Sequence, residues 1–408
     1  MRFGFFVFLL LIVVFGCINQ NLAPKQDLED DALVQQSDQD NPSDNPLVPT
    51  ADVQENNPPP ELPPQNQQQS NEPQRVENKT VFGEISTDQI WAGEILVTDW
   101  IIVKEGVTLV IEPGTKVKFK HNRDYKNPLK TGLEVHGNLT AIGTPEKQIF
   151  FTSDVSPPQN GDWGMLRLFG KTSSKIKYAV VEFAQQGINL WKSDAEISHS
   201  IVRWNNWEGL YAESFSTPLI EYNMVYQNGY NGMAMEQFND VVVINNLFEK
   251  SGTHGLHVDA SKAVVENNLL KENGAAGLSL DDAAEVSAKN NSLIENRIFG
   301  IMCGEGENKL SVLENKAEQE NATNCPGLAE NDFEGSGAAE IAFDFVDTKT
   351  FDLGYTPGDQ QKDKYLYVYP DDQTRKIVKK MGANLGLTWS IALEGKDVWT
   401  STVSGDIY

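Results

Sequence analysis

Residues 187–304 repeat one pattern of apolar and polar positions. A glycine is followed by four residues that alternate between apolar and polar, and this unit returns every 22 or 23 residues. The repeated glycines are Gly187, Gly209, Gly232, Gly255, Gly277 and Gly300. The first position after each is Ile188, Leu210, Met233, Leu256, Leu278 or Ile301, and the third is Leu190, Ala212, Met235, Val258, Leu280 or Cys303. Alternation with period two predicts strands with one inward side, and the constant interval predicts a solenoid.

Three further series of positions complete each repeat. Nine residues before the glycines lie Ser200, Asn223, Asn246, Asn268 and Asn291, and four residues before them lie Asn205, Asn228, Ser251, Asn273 and Asn296. Between these two series lie the apolar residues Val202, Val225, Phe248, Leu270 and Leu293. Asparagine tolerates the left-handed backbone of tight corners, and its amides can bond to each other when stacked. We therefore expect three short strands per coil. A leucine-rich repeat would need a leucine consensus, which the repeat lacks.

The preceding region has the same character. It contains Gly106–Phe119, Gly132–Gly143 and Gly161–Gly164, short apolar stretches bounded by glycine. This succession resembles the first coils of the secreted β-helix proteins of the pectin-lyase-like superfamily. The resemblance implies an all-β fold, a right-handed parallel β-helix over 81–327. That superfamily includes polysaccharide lyases, glycoside hydrolases, epimerases, copper-maturation proteins and non-enzymatic surface proteins, so the resemblance implies a fold more strongly than an activity.

The N-terminal sequence predicts a location outside the cytoplasm. Residues 1–17 contain one positive residue and then an apolar run too short to span about 30 Å of hydrocarbon. The run ends in Gly16-Cys17, which resembles the lipobox of prokaryotic lipoproteins and implies acylation of Cys17. We expect a signal peptide over 1–17 and a protein held at the membrane or cell surface by its lipid.

The next segment predicts a tether. Residues 18–80 hold no glycine and no aromatic residue, but ten of the nineteen prolines. They cannot bury enough apolar surface to offset their conformational entropy, so we expect a disordered acidic linker. The whole chain of 408 residues has a formal net charge of −25, and such a field repels phosphate backbones. We therefore expect no nucleic-acid partner.

The fourth position after the repeated glycines predicts a column of carboxylates on the outer side. It holds Trp191, Glu213, Glu236, Asp259 and Asp281 in successive coils. Strands one coil apart lie about 4.8 Å from each other, so these side chains should be close neighbours. Three interpretations remain open: a solvated acidic face, a Ca²⁺ site formed by Glu236, Asp259 and Asp281, or paired carboxylates for glycoside chemistry.

The same face carries aromatic and histidine side chains. Trp191, Tyr211 and Tyr230 are candidates for stacking on sugar rings, although core packing is an equally good explanation for such residues. His257 joins the acidic residues as a candidate catalytic group. The histidines His199, His254 and His257 leave a copper site open, but no Cys/His spacing of a structural metal motif is present.

The catalytic patterns of the superfamily are incomplete in this chain. Its hydrolases place an Asp-Asp pair before a Gly-His-Gly, whereas here Asp281-Asp282 follows Thr253-His254-Gly255. Its lyases need a positioned basic residue, and the two arginines of the repeat, Arg203 and Arg297, lie far apart. We therefore expect a surface module that binds glycans or has a structural role. The alternatives are a polysaccharide lyase or glycoside hydrolase, and a calcium- or copper-binding protein.

Two features concern the end of the chain. Cys303 and Cys325 lie 22 residues apart, which is one coil, and export favours oxidation, so we expect a disulfide between consecutive coils. Residues 328–408 break the repeat and resemble one blade of a β-propeller. A single blade cannot close a ring, so we expect either an early end of the propeller pattern or a cap on the solenoid.

Overall fold

The computed structural model describes residues 72–122 and 131–347, and the backbone of four short strands between 367 and 400. The predicted signal peptide, Cys17 and most of the predicted tether lie outside the described residues. Within the part that is described, no helix has the length and hydropathy of a membrane span.

Each coil contributes three strands, and each strand pairs in parallel with the strands one coil before and one coil after it. The solenoid opens with two long strands, β1 (Gln74–Ile85) and β2 (Gln89–Val103). The later strands form three faces. Face A consists of β5 (Gly132–Val135), β8 (Leu166–Phe169), β11 (Ile188–Trp191), β14 (Leu210–Glu213), β17 (Met233–Glu236), β20 (Leu256–Asp259), β23 (Ala276–Asp281) and β26 (Phe299–Cys303). Face B consists of β3 (Thr108–Ile111), β6 (Asn138–Ile142), β9 (Lys175–Lys177), β12 (Glu196–Ser198), β15 (Leu219–Glu221), β18 (Asp240–Ile244), β21 (Lys262–Glu266), β24 (Glu285–Lys289) and β27 (Lys309–Leu313). Face C consists of β4 (Lys116–Phe119), β7 (Ile149–Ser153), β10 (Ala179–Glu182), β13 (Ile201–Arg203), β16 (Met224–Tyr226), β19 (Leu247–Glu249), β22 (Leu269–Lys271), β25 (Ser292–Ile294) and β28 (Lys316–Glu318).

Strand β2 joins the three faces at the N-terminal end. Its first part pairs with β3, its middle with β4 and its last part with β5. Strand β1 follows β2 in parallel along almost its whole length and begins at Gln74. The composition of the tether predicts that the solenoid begins at residue 81, whereas its first strand begins at Gln74.

The alternating residues form the core as the sequence predicts. The first residue after every repeated glycine is at most 1% exposed. The repeated glycines lie in a single file. At each of them, a carbonyl oxygen of the next coil lies too close to leave room for a side chain. A β-carbon on Gly232 would lie 2.6 Å from the carbonyl oxygen of Gly255, and one on Gly255 would lie 2.7 Å from that of Gly277. Such distances are too short for any β-carbon, so glycine is required at this corner.

The two asparagine series also stack. The Asn223 amide donates to Asn246 Oδ1 at 3.0 Å, and Asn246 donates to Asn268 Oδ1 at 3.1 Å. The left-handed backbone lies one residue earlier than expected, at His199, Tyr222, Asn245, Asn267 and Asn290. The ladder asparagine points into the solenoid instead, where its amide satisfies backbone carbonyls that the corner leaves unpaired.

The C-terminal end of the core is covered. Cys303 and Cys325 form a disulfide, with their Cα atoms 4.9 Å apart. Ala322, Cys325 and Phe333 belong to the core, and Leu328 packs against it. Phe333 ends a short 3-10 helix, Glu330–Phe333. Residues 322–333 thereby shield apolar side chains that an open solenoid end would expose.

A strap, residues 334–347, lies across the outside of face C. It contacts the last coils where Ser292 Oγ donates to the carbonyl of Ala338 at 3.1 Å. It contacts much earlier coils where Tyr178 donates to Asp344 at 2.7 Å and Gln148 donates to the carbonyl of Val346 at 3.2 Å. The phenyl ring of Phe345 packs on an apolar patch formed by Phe150, Val180, Ile201 and Tyr226. The strap therefore covers much of face C.

Beyond residue 347, two antiparallel strand pairs are described. These are β29 (Tyr367–Val368) with β30 (Ile377–Val378), and β31 (Ile391–Glu394) with β32 (Asp397–Thr400). The propeller-blade and cap hypotheses for 328–408 stay predictions.

Candidate functional site on face A

The outer side of face A carries two parallel rows of polar and aromatic side chains. Strand pairing aligns the first row as Glu134, Arg167, Asn189, Tyr211, Ala234, His257 and Ser279. The second row contains Phe169, Trp191, Glu213, Glu236, Asp259 and Asp281. The predicted carboxylates and Trp191 thus follow one another on successive strands of this face.

The N-terminal end of the site is aromatic and basic. The rings of Phe169 and Trp191 stack nearly parallel, with centroids 6.0 Å apart. The Arg167 guanidinium lies 5.9 Å from the Trp191 ring and donates to Asn189 Oδ1 at 2.9 Å. His136 packs on Phe169 at 4.5 Å. We call His136, Arg167, Phe169 and Trp191 the aromatic end; its flat rings and hydrogen-bonding groups suit a sugar.

The middle of the site holds three carboxyl groups. Tyr211 donates to Glu236 Oε2 at 2.6 Å, and the Asn189 amide donates to Glu213 Oε1 at 2.8 Å. Burial raises the pKa of both glutamates above its ordinary value. Glu208, whose carboxylate accepts a 2.9 Å bond from Gln186, has its pKa raised to about 7 by burial. Such a carboxyl group can hold or release a proton near neutral pH.

Glu208 is not among the predicted site residues, because it precedes the repeated glycine and lies outside the alternating stretch. The equivalent positions hold Gln186, Asn231, His254 and Ala276, so a charge there occurs in one coil of these five. Predicted residue Tyr230 lies in the adjoining loop, where burial and the nearby carboxylates Glu208 and Glu236 raise its pKa. Its hydroxyl therefore stays protonated at neutral pH.

The C-terminal end of the site combines histidine and aspartate. Burial lowers the pKa of His257 to about 4, so its imidazole is neutral at pH 7. Burial and neighbouring acids raise the pKa of Asp259 to about 6, and burial raises that of Asp281 to about 6. His257 Nδ1 lies 3.7 Å from Asp281 Oδ2, and the His254 ring stacks on that of His257 at 5.7 Å.

Metal binding was one of the predicted uses of these acids. Among residues 72–122 and 131–347, no group of three or more His, Cys, Asp or Glu side chains is arranged to hold an ion. His199, a copper candidate, lies on another face, where it stacks with Tyr178 and Tyr222. The calcium and copper hypotheses for Glu236, Asp259, Asp281 and the histidines stay predictions.

Other aromatic residues of these coils have structural environments. Trp204 is buried, packs on Phe183 and lies under the Arg203 guanidinium at 4.2 Å. Tyr226 donates to Asp347 of the strap at 2.6 Å. Neither belongs to face A, so the predicted sugar-stacking rings on the strands of that face are Trp191 and Tyr211, with Phe169 beside Trp191.

Two family models match the solenoid. One describes a right handed beta helix region and matches residues 186–336; the other describes a pectate-lyase like beta helix domain and matches residues 83–188. The solenoid is a right-handed parallel β-helix. The two matches adjoin near Gly187 and together span the coils of this β-helix.

Structural likenesses to the β-helix are distant. Crystal structures of a single and a double mutant of the periplasmic alginate epimerase AlgG align with 14% and 10% identity and TM-scores of 0.44 and 0.42. The alignments cover 63% and 61% of this chain and 69% and 74% of those chains. Both are too distant to bear on activity. A comparison with curated proteins finds no significant match.

Proposed function

We propose that this β-helix binds a polysaccharide chain along face A. One observation supports the proposal above others: the aromatic end and the carboxyl groups lie on consecutive strands of one face, in register. Trp191 stands between the ring of Phe169 and the carboxylate of Glu213 in strand register. Aromatic rings stack on the apolar faces of sugars. Carboxylates accept hydrogen bonds from sugar hydroxyl groups, and amides both donate and accept them.

The spacing of the coils supports a polymer as the ligand. Equivalent side chains on face A recur at every strand spacing of about 4.8 Å. An extended chain of linked pyranose rings advances by a similar step for each sugar, so successive sugars can meet equivalent positions. Face C is crossed by the strap, whereas the aromatic end and the carboxyl groups lie on face A.

The binding experiment uses the full chain and isothermal titration calorimetry against soluble neutral, amino-sugar and uronate polysaccharides. We expect one class to bind, and Trp191→Ala to weaken its affinity at least about tenfold. The matched control is Phe82→Ala, because Phe82 is an exposed aromatic residue of β1. The absence of binding across the panel, or an unchanged affinity of Trp191→Ala, would contradict the proposal.

A second candidate function is cleavage of the bound glycan. Asp259 and Asp281 pair in register on neighbouring strands, and the pKa of each is raised to about 6. Carboxyl groups about 5 Å apart, one protonated and one ionised, are the arrangement of retaining glycosidases. Reducing-sugar release, or absorbance of an unsaturated uronate product, would detect cleavage. Activity that disappears in Asp281→Asn, while affinity persists, would show that the site is catalytic.

We further propose that the protein acts outside the cytoplasm and is held at a membrane by a lipid on Cys17. The proposal rests on the sequence of residues 1–17. Growth with radiolabelled palmitate should label the wild-type protein and leave Cys17→Ser unlabelled. A labelled serine variant, or an unlabelled wild-type protein, would contradict lipid attachment.

A further inference from the structure

Two phenylalanines form an exposed stacked pair beside face A. Phe215 and Phe238 are 61% and 66% exposed, and their ring centroids lie 5.6 Å apart with the planes 22° from parallel. We propose that this pair is a second sugar-stacking platform, which binds pyranose rings of the polysaccharide bound on face A. The proposal rests on the proposed function and extends the site around the turn from face A to face B.

The position of the pair connects it to face A. Phe215 lies two residues after Glu213, and Phe238 lies two residues after Glu236. The two glutamates are paired in register, so the two rings repeat one coil apart, as the carboxylates do. A sugar that stacks on the pair is therefore close to the carboxyl groups in the middle of the site.

Hydrogen bonds between neighbouring coils fix the backbone that carries the two rings. The amide of Phe215 donates to the carbonyl of Gln237 at 3.1 Å, and that of Phe238 donates to the carbonyl of Ala260 at 2.9 Å. Between these residues, Ser214 Oγ donates to Gln237 Oε1 at 2.8 Å. The result is a fixed aromatic surface next to a hydroxyl and an amide, which is the combination that sugars need.

The fold does not require phenylalanine at these positions. Phe215 and Phe238 have φ of 66° and 64°, in the left-handed region that bulky residues disfavour. Ala283, two residues after Asp281 in a later coil, has φ of 66°. Alanine therefore fits the same turn, so the fold does not need a large apolar side chain there, and the two rings stay exposed to solvent.

The size and surroundings of the pair favour a sugar over a protein or a membrane. Two rings cover far less than the area of about 800 Å² per partner that a stable protein interface buries. The carboxylates beside them and the net charge of −25 repel anionic lipid surfaces. A pyranose ring has the dimensions of one phenyl ring, so a sugar can stack on an outer face of the pair.

The experiment compares the double variant Phe215→Ala/Phe238→Ala with the wild-type chain, using the polysaccharide that the wild type binds in the panel. We expect about tenfold weaker affinity with an unchanged melting temperature, since Ala283 shows that alanine fits the turn. Phe215→Leu/Phe238→Leu should be similarly weak, because leucine is apolar but not flat, and the double tyrosine variant should bind normally.

The outcomes separate this proposal from the proposed function. If Trp191→Ala loses affinity while the double alanine variant binds like the wild type, the platform is refuted and binding on face A stands. If the leucine variant keeps full affinity, stacking is refuted. If the alanine variant changes only the oligomeric state in sedimentation velocity, the pair joins two copies of the chain and the platform is again refuted. If the wild type binds no polysaccharide, the proposed function itself fails.

Discussion

The hydroxyl of Tyr211 donates a 2.6 Å hydrogen bond to Glu236 Oε2, one coil further along the β-helix. Both side chains point outward from face A, yet both are partly buried by their neighbours. Burial raises the pKa of Glu236, whereas the bond from Tyr211 lowers it. The two effects oppose each other, so the hydroxyl of Tyr211 offsets part of the rise in pKa that burial causes.

Removal of that hydroxyl should make Glu236 a weaker acid. In Tyr211→Phe the carboxylate loses its donor but stays desolvated, so we expect its pKa to rise further. At pH 8 the variant should lose about 1.5–3 kcal/mol of unfolding free energy, the range for a hydrogen bond to a charged group. Carbon NMR titration of the glutamate carboxyls measures the pKa. A pKa unchanged from that of the wild type would contradict the role assigned to this bond.

Glu208 should make stability depend on pH. Its pKa is raised from an ordinary 4.5 to about 7, so between those values the folded state binds more protons than the unfolded state. The stability that the protonated carboxyl group contributes is fully present below about pH 4.5 and is lost as pH rises through 7. The loss amounts to roughly 3 kcal/mol. Glu208→Gln removes this titration, so the variant should gain stability relative to the wild type between pH 5 and 8.

Urea unfolding at pH 5, 6, 7 and 8 tests the Glu208 prediction. His257 acts in the opposite direction, because its lowered pKa of about 4 removes stability as pH falls from 6.5 towards 4. Both proteins share His257, so the difference between their curves isolates Glu208. A difference that is constant with pH would contradict the prediction.

The repeat allowed most of the fold to be predicted, because equivalent positions in each coil have the same environment. A third polar ladder was missed. Its members are Ser193, Ser216, Asn239 and Ser261. The backbone amide of Ser216 donates to Asn239 Oδ1 at 2.8 Å, but the spacing of these residues in the sequence does not reveal the ladder. The intervals from the repeated glycines to this ladder are six, seven, seven and six residues, because the turns between faces A and B differ in length.

Non-repeating contacts were also beyond the reach of the sequence. Tyr178 and Asp344 are 166 residues apart, and no periodicity connects the strap to face C. The large pKa shift of Glu208 likewise arises from burial by neighbouring coils, which composition does not reveal. The outward column on face A was predictable because strand register alone defines it, whereas the protonation of its members depends on three-dimensional burial.

The inner asparagine ladder should be essential to stability. Asn246 donates to the carbonyl of Ile220 at 2.9 Å and to Asn268 Oδ1 at 3.1 Å, and its own Oδ1 accepts from Asn223. Asn246→Ala leaves several buried polar groups unpaired, so we expect a loss of about 3 kcal/mol or more in urea unfolding.

The neighbouring residue supplies the control for Asn246. Asn245 has φ of 57° and lies at the corner itself, where glycine is favoured. Asn245→Gly should therefore change the unfolding free energy by less than about 1 kcal/mol. Equal effects of the two substitutions would contradict the distinction between the inward ladder residue and the left-handed corner residue.

The strap should depend on one buried ion pair. Arg203 is fully buried and donates to Glu182 at 2.8 and 2.9 Å, to Tyr226 Oη at 2.9 Å and to Asp347 of the strap. Because Glu182 is also fully buried, Arg203→Ala removes the guanidinium that pairs with its charge, which costs about 3–5 kcal/mol. Asp347 of the strap keeps its bond from Tyr226 but loses the guanidinium, so the amides of residues 338–347 should exchange hydrogen faster than in the wild type.

Arg75 is the matched control for Arg203, because its guanidinium contacts the Glu112 carboxylate through two hydrogen bonds but is half exposed. Arg75→Ala should cost much less than Arg203→Ala, since water screens an exposed pair and solvates the carboxylate that remains. It should also leave hydrogen exchange in the strap unchanged. If Arg203→Ala were as mild as Arg75→Ala and left exchange in the strap unchanged, the strap would be held by its other contacts, which are the hydrogen bonds of Ser292, Tyr178 and Gln148 and the packing of Phe345.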